Sequence, residues 1–186
     1  MSPTPHPTRL ALIEAGLDLA ASTSLNRLTI DAIVNKAGVA KGTFYVHFPD
    51  RAAFLVALHI QFHERLLERI LSGIEDLPPG ARRLRAGAEI YLDECLRERG
   101  VKAILLEARS EAPIVAEVQQ RNAQFALLNQ VDFTAIGWPD AATAASLFVV
   151  LVAEAALIEL ETGRNEALRQ TIWRFARIEE NESQSQ

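Results

Sequence analysis

The chain has one cysteine, one methionine, two tyrosines, two tryptophans, nine glycines and eight prolines in 186 residues. A lone cysteine, Cys95, excludes an intrachain disulfide and any zinc site built on cysteine clusters. Glycine and proline are sparse and gather between longer runs that lack them, which favours helices over the frequent turns of an all-β protein. No apolar–polar alternation persists long enough to read as a strand. No phosphate-cradling Gly-rich loop, dinucleotide fingerprint or serine-nucleophile motif occurs. The opening "MSPTPHPTRL" lacks the apolar core of a signal peptide, which predicts a cytoplasmic protein. The longest greasy run, "AATAASLFVVLVAEAALIEL", approaches membrane-spanning length, but it is Ala-rich and carries Glu154 and Glu159. It reads as a buried helix, with no membrane partner.

What is present is globular: 49% hydrophobic and 23% charged residues, with a net charge of −5. An acidic total does not exclude a nucleic-acid partner, because charge can be divided between regions. Through Arg51 the cations are Arg9, Arg27, Lys36, Lys41 and Arg51, against Glu14, Asp18, Asp31 and Asp50. The acidity therefore belongs to the remainder, and an electropositive tip on an acidic body suits binding to DNA by one end.

Along the chain, residues 1–7 read as a proline-rich mobile arm. Thr8 is placed to cap a first helix whose Leu10, Ile13, Leu17 and Ala20 recur at helical spacing, and "STSLN" breaks it. Thr29 offers a hydroxyl cap to a second helix, with Asp31 in the first turn where the helix dipole favours a carboxylate. Ile30, Ile33, Val34 and Ala37 make its apolar stripe, and Gly38 supplies a left-handed stop. A short third helix runs from about Lys41 to Phe48, Pro49 ends it, and Asp50 caps a long fourth helix. After "SGIEDLPPGA", the clearest break, Gly100, Pro113, Gly137-Trp138-Pro139 and Gly163 punctuate further helical runs. The expectation is an all-α fold of about nine helices. Residues 1–50 form a small three-helix domain, 51–180 a larger helical one, and 181–186 a polar tail.

The stretch "AGVAKGTFYVHF" carries the functional argument. Two short helices joined by a tight Gly turn are the plan of a helix-turn-helix, whose second helix enters the major groove. Phe44 and Phe48, one turn apart, anchor the short helix, leaving Lys41, Thr43, Tyr45 and His47 to its other sides. Lys supplies a cation, Thr and Tyr hydroxyls for phosphate oxygens, and His a ring N–H. Gly42 permits close approach of the DNA backbone.

On these residues "LTIDAIVNKAGVAKGTFYVHFPDRAAFL" resembles the DNA-binding segment of the tetracycline-repressor-like (TetR) family of bacterial transcriptional regulators. Cap, turn, recognition helix and connector appear in order over about the first third of the chain. The resemblance implies that Thr29 caps its helix near a phosphate and that Lys41, Gly42 and Thr43 meet the groove. It implies that Tyr45 and His47 reach phosphates and that Arg51 clamps the flanking strand. Ala40, Val46 and Ala52-Ala53 depart from the common pattern and leave the operator sequence open.

So short a recognition helix needs a twin, and a two-fold dimer would read a palindromic operator. "SLFVVLVAEAALIEL" has too much apolar circumference for a surface helix packed on one side. With the final helix it predicts a dimer surface at Leu147, Leu151, Glu154, Ile158, Leu168, Ile172 and Phe175, with Glu154 placed to pair with an arginine of the final helix across the interface. The family keeps a pocket for a small-molecule effector among its middle helices. Polar residues on apolar stripes there make Tyr91, Cys95 and Asn122 candidates, with Phe125 and Phe148 as walls; Glu107, with Arg109 close by, follows a greasy run and joins them. The expected function is a homodimeric, ligand-responsive DNA-binding transcription regulator, a repressor released by its effector.

The rival readings are a helical interaction protein and a small enzyme with a metal site. His59 and His63 share one helix face, but Ile60 follows His59, so the metalloprotease pattern is absent. No metal, cofactor or catalytic activity is expected, and Cys95 reads as an inert core residue rather than a redox switch.

Overall fold

The computed structural model describes residues 6–108 and 112–178. Arg109, the arm up to residue 5 and the tail 181–186 lie outside the described residues. Among the described residues, regular structure consists of nine α-helices and one 3₁₀ turn, with no strand. The chain divides into two compact units, residues 1–65 with 98–118 and residues 66–97 with 119–186.

The first unit opens with α1 (Pro7–Ala20), the 3₁₀ turn Leu25–Arg27, α2 (Ile30–Ala37) and α3 (Lys41–His47). The cap of α1 is not Thr8. His6 Nδ1 accepts from the Thr8 amide at 3.2 Å, and Pro7 occupies the first helical position, where its fixed φ fits and its missing N–H costs nothing. Thr29 caps α2 as expected, its Oγ1 accepting from the Ala32 amide at 3.2 Å. Gly38 ends α2 at φ 69°, a left-handed conformation that costs other side chains energy, and Val39 N donates back to Val34 O. Asp50 Oδ1 accepts from Ala53 N at 2.8 Å and starts α4 (Arg51–Ile74), which continues past the unit boundary.

The apolar stripes of α1 and α2 converge on Leu12, Ile13, Leu28 and Ile33, all buried. Phe44, Phe48 and Phe54 close the core as a triangle of rings with centroids 5.1–5.4 Å apart. Such pairs add about 0.5–1.5 kcal/mol each beyond burial, so α3 is fastened by far more than its seven residues' propensity. α6 (Arg99–Glu107) packs on α1, and a Cβ on Gly100 would lie 2.5 Å from Ala21 O, so only glycine allows that approach.

The second unit holds the end of α4, α5 (Ala81–Arg97), most of α7 (Ala112–Ala135), α8 (Ala141–Thr162) and α9 (Glu166–Ala176). Asp140 and Asn165 cap α8 and α9. α8 packs on α5 and α9. With a mean hydropathy of 2.2 over its most apolar window, α8 is long and apolar enough to cross a membrane, yet it ends in buried charge. Glu159 and Arg169, 0% and 1% exposed, form a two-pronged ion pair at 2.8 and 2.7 Å. Arg169 also donates to Asp93 of α5 at 2.7 Å, and the Asn165 amide donates to Glu159 at 2.9 Å. Arg83 and the Gly80 amide hold Asp132 of α7 in the same manner.

Candidate nucleic-acid interface

With Phe44 and Phe48 turned inward, helical geometry puts the residues between them outward. Lys41, Gly42, Tyr45 and Val46 are exposed, and Thr43 and His47 are half-buried. A Cβ on Gly42 would meet nothing within 4 Å, so this side of α3 is open to a close-approaching surface. Thr29 is exposed beside its cap bond, and the His47 ring lies 5.0 Å from that of His6.

Two charged residues are more engaged than their sequence positions indicate. Lys41 Nζ lies 2.8 Å from Asp31 Oδ1 on α2, and this hydrogen bond, reinforced by charge attraction, raises the ammonium pKa. Arg51 is half-buried; its Nε donates to Leu28 O at 3.1 Å and its Nη2 to Leu25 O at 2.6 Å. It braces the turn before α2, and Glu107 Oε2 accepts from the Leu25 amide of that turn at 3.3 Å.

Sequence reasoning missed Asp31 as a partner of Lys41, because the pair forms across a turn where no helical period applies. It named Val46 only as a departure from the family pattern and did not count it among the DNA-facing residues, although it is 78% exposed. Val46 lies two residues, or about 200°, from Phe44, and that angle was the available signal.

The candidate pocket residues are distributed. Glu107 belongs to the first unit, where it holds the Leu25 amide. In the second, the rings of Tyr91 and Phe125 meet edge to face at 6.1 Å, Asn122 is half-buried and Cys95 is buried. Phe148 faces elsewhere in the unit, into an open apolar groove of about 600 Å³ with Phe133, Trp138, Leu147, Leu151 and Phe175. Glu154 is the charged residue among the groove walls.

That groove lies within the surface singled out for dimerisation. Leu147 and Phe175 are 67% and 69% exposed, and Leu151, Glu154 and Ile158 are exposed beside them. Leu168 is half-buried. Ile172 departs from the expected set: at 1% exposure it belongs to the chain's own core, on the side of α9 that carries Trp173 and Arg169. Within the chain, Arg169 of α9 binds a carboxylate of α8, that of Glu159.

His59 and His63 stack at 4.2 Å in the interior of the first unit, and no group of three or more metal-ligating residues occurs among the described residues.

Comparison with known proteins places this geometry. Residues 12–58 match the family model of the bacterial regulatory proteins, tetR family. Two Bacillus subtilis proteins, the uncharacterized HTH-type transcriptional regulators YuxN and YvdT, are each 30% identical, over 61 and 83 residues. These alignments cover 33% and 45% of this chain, which spans only 21% and 41% of the length of those relatives. A TetR-family transcriptional regulator from Rhodococcus sp. superposes with a TM-score of 0.76 at 18% identity, over 93% of this chain and 98% of that one. The fatty acid degradation regulator FadR of Bacillus halodurans gives 0.73 at 16% identity, over 93% and 96%. At such identities the likeness concerns the fold, while the helix-turn-helix segment carries the kinship in sequence. Through residues 12–58, the chain is similar to the bacterial regulatory proteins of the tetR family.

Proposed function

We propose that this protein is a cytoplasmic, homodimeric, sequence-specific DNA-binding transcription regulator, and not an enzyme. The observation that carries the reading is α3: seven residues braced by three phenylalanine rings, with Lys41, Gly42 and Tyr45 turned to solvent. In this reading residues 1–50 are the DNA-binding domain and 51–180 the effector and dimerisation domain. Thr29, Lys41, Gly42, Thr43, Tyr45 and His47 face the duplex. Arg51 gives two donors to backbone carbonyls and so braces the turn; with five N–H donors on its guanidinium, it also clamps a flanking phosphate.

The exposed apolar residues of α8 and α9 support a second copy as partner. A two-fold axis there would set two recognition helices on successive major grooves, about 34–36 Å apart, on a palindromic operator. The repressor is released when a small molecule favours a differently spaced state. Tyr91, Asn122 and Phe125 are the residues proposed to meet that molecule. A structural neighbour of 20% identity and TM-score 0.72, the multidrug binding protein EbrR, was crystallised with imidazole, in keeping with a small-molecule effector.

The test is selection of preferred duplexes from a random pool, followed by binding of the Lys41→Ala/Tyr45→Ala double variant. Operator affinity should fall, and the dependence of log K on log salt should become shallower by about one for each phosphate that is no longer neutralised. Unchanged affinity and slope would refute the assignment of α3.

A further inference from the structure

We propose that Asp31 is a specificity-determining residue for DNA binding, acting through Lys41: in the free protein its carboxylate takes the position on the ammonium that a phosphate oxygen would take. The inference rests on the DNA-binding reading above and adds a residue to it. Lys41 Nζ stands 2.8 Å from Asp31 Oδ1, a charge-assisted distance, so the group best suited to a phosphate is already satisfied. Both side chains remain more than half exposed, at 54% and 66%, so the pair can part without disturbing the core. Thr29 already caps α2 through Ala32, so Asp31 is not needed for that role. Lys36, the other lysine of this segment, is likewise paired, 3.5 Å from Asp18.

The consequence is a graded competition. Leaving Asp31 exchanges one anionic partner for another, so Lys41 gains little unless the duplex supplies a phosphate at the right place. A complex in register does so, whereas one on arbitrary sequence samples many registers and does so only part of the time. Asp31, once vacated, also repels the phosphates around it. Both effects weigh more heavily on the operator, where every complex takes Lys41 from Asp31, than on random DNA.

The experiment uses the full chain as wild type, Asp31→Asn, Lys41→Met and the double variant. Binding is measured by fluorescence anisotropy on a random-sequence duplex and on a selected duplex at several salt concentrations. Asp31→Asn should bind the selected duplex about two- to fivefold more tightly, the range an exposed ion pair supports, and the random duplex by less. Its salt slope should steepen by up to about one. Asp31→Glu should behave as wild type, and the gain from Asp31→Asn should shrink in the Lys41→Met background. Equal gains in both backgrounds, as long-range charge alone would give, would overturn the proposal, as would unchanged or weaker binding by Asp31→Asn. Wild-type protein that bound neither duplex at low salt would instead refute the DNA-binding reading itself. An NMR titration of the Lys41 side chain tests the pair without DNA. Its pKa should fall in Asp31→Asn, and an unmoved pKa would also overturn the proposal.

Discussion

Replacing Arg169 with methionine should be the most damaging conservative change in the second unit. Glu159 is fully buried, and Arg169 gives it two hydrogen bonds at 2.8 and 2.7 Å while also reaching Asp93. Methionine fills much of the volume but leaves the carboxylate with the Asn165 amide alone among these donors. Breaking a buried pair from one side costs about 3–5 kcal/mol, which for a chain of this size lowers Tm by about 6–20 °C. Glu159→Gln should cost less, about 1–3 kcal/mol, because Arg169 keeps Asp93. The double replacement Arg169→Met/Glu159→Met should recover most of the loss, since no unpaired charge is left behind. Both tryptophans, Trp138 and Trp173, lie in this unit, so urea melts followed by their fluorescence at fixed protein concentration report on it directly.

The same variant has a signed pH dependence. Burial pushes the Glu159 carboxyl up, but the hydrogen bonds from Arg169 and the Asn165 amide outweigh it and leave the pKa lowered. A lowered carboxyl pKa contributes stability in full above the unfolded value of about 4.3 and loses it as pH falls through the folded value. The gap between wild type and Arg169→Met should therefore be complete at neutral pH and narrow in acid. A loss below about 1 kcal/mol, a gap constant down to acid, or a double variant as unstable as the single would refute this account.

Two further outcomes are expected. Phe175→Asp puts a charge at the most exposed aromatic position of the α8–α9 surface, and sedimentation should show the dimer dissociation constant raised by about 30-fold or more, as loss of a 2 kcal/mol hot spot gives. Gly42→Ala meets no neighbour within 4 Å and needs no left-handed backbone, so thermal stability should rise by about 0.4–1 kcal/mol. In the proposed function its duplex affinity should nevertheless fall, because the new methyl group would stand where DNA is proposed to approach; gains in both would contradict the placement of Gly42.

Much of the fold was legible because its signals are local. Thr29, Gly38 and Asp50 each act on backbone groups within four residues, so the start and stop of α2 and the start of α4 follow from residue type alone. The inward pair Phe44 and Phe48 follows from helical period in the same way, and it orients every other side chain of α3. At the start of α1 residue type did not suffice: Thr8 is the ordinary cap type, yet Pro7 occupies the first helical position, where its fixed φ fits, and the cap falls to His6. On α9, Ile172 and Phe175 lie three residues apart on what reads as one stripe. The structure buries the first in the core and leaves the second outside, because a stripe defines a face but not how far the neighbouring helices cover it.

From the sequence alone came the helical class, the order of the first helices, the limits of α2 and α3, and the identity of the segment that meets DNA in the proposed function. All of these depend on residues within a turn or two of one another. Only the tertiary structure decided how the charges are spent: Lys41 on Asp31, Arg51 on the Leu25 and Leu28 carbonyls, Arg169 on Glu159 and Asp93. A long charged side chain can reach many acceptors, and which one it meets depends on how whole helices pack, a choice that no period or cap in the sequence encodes.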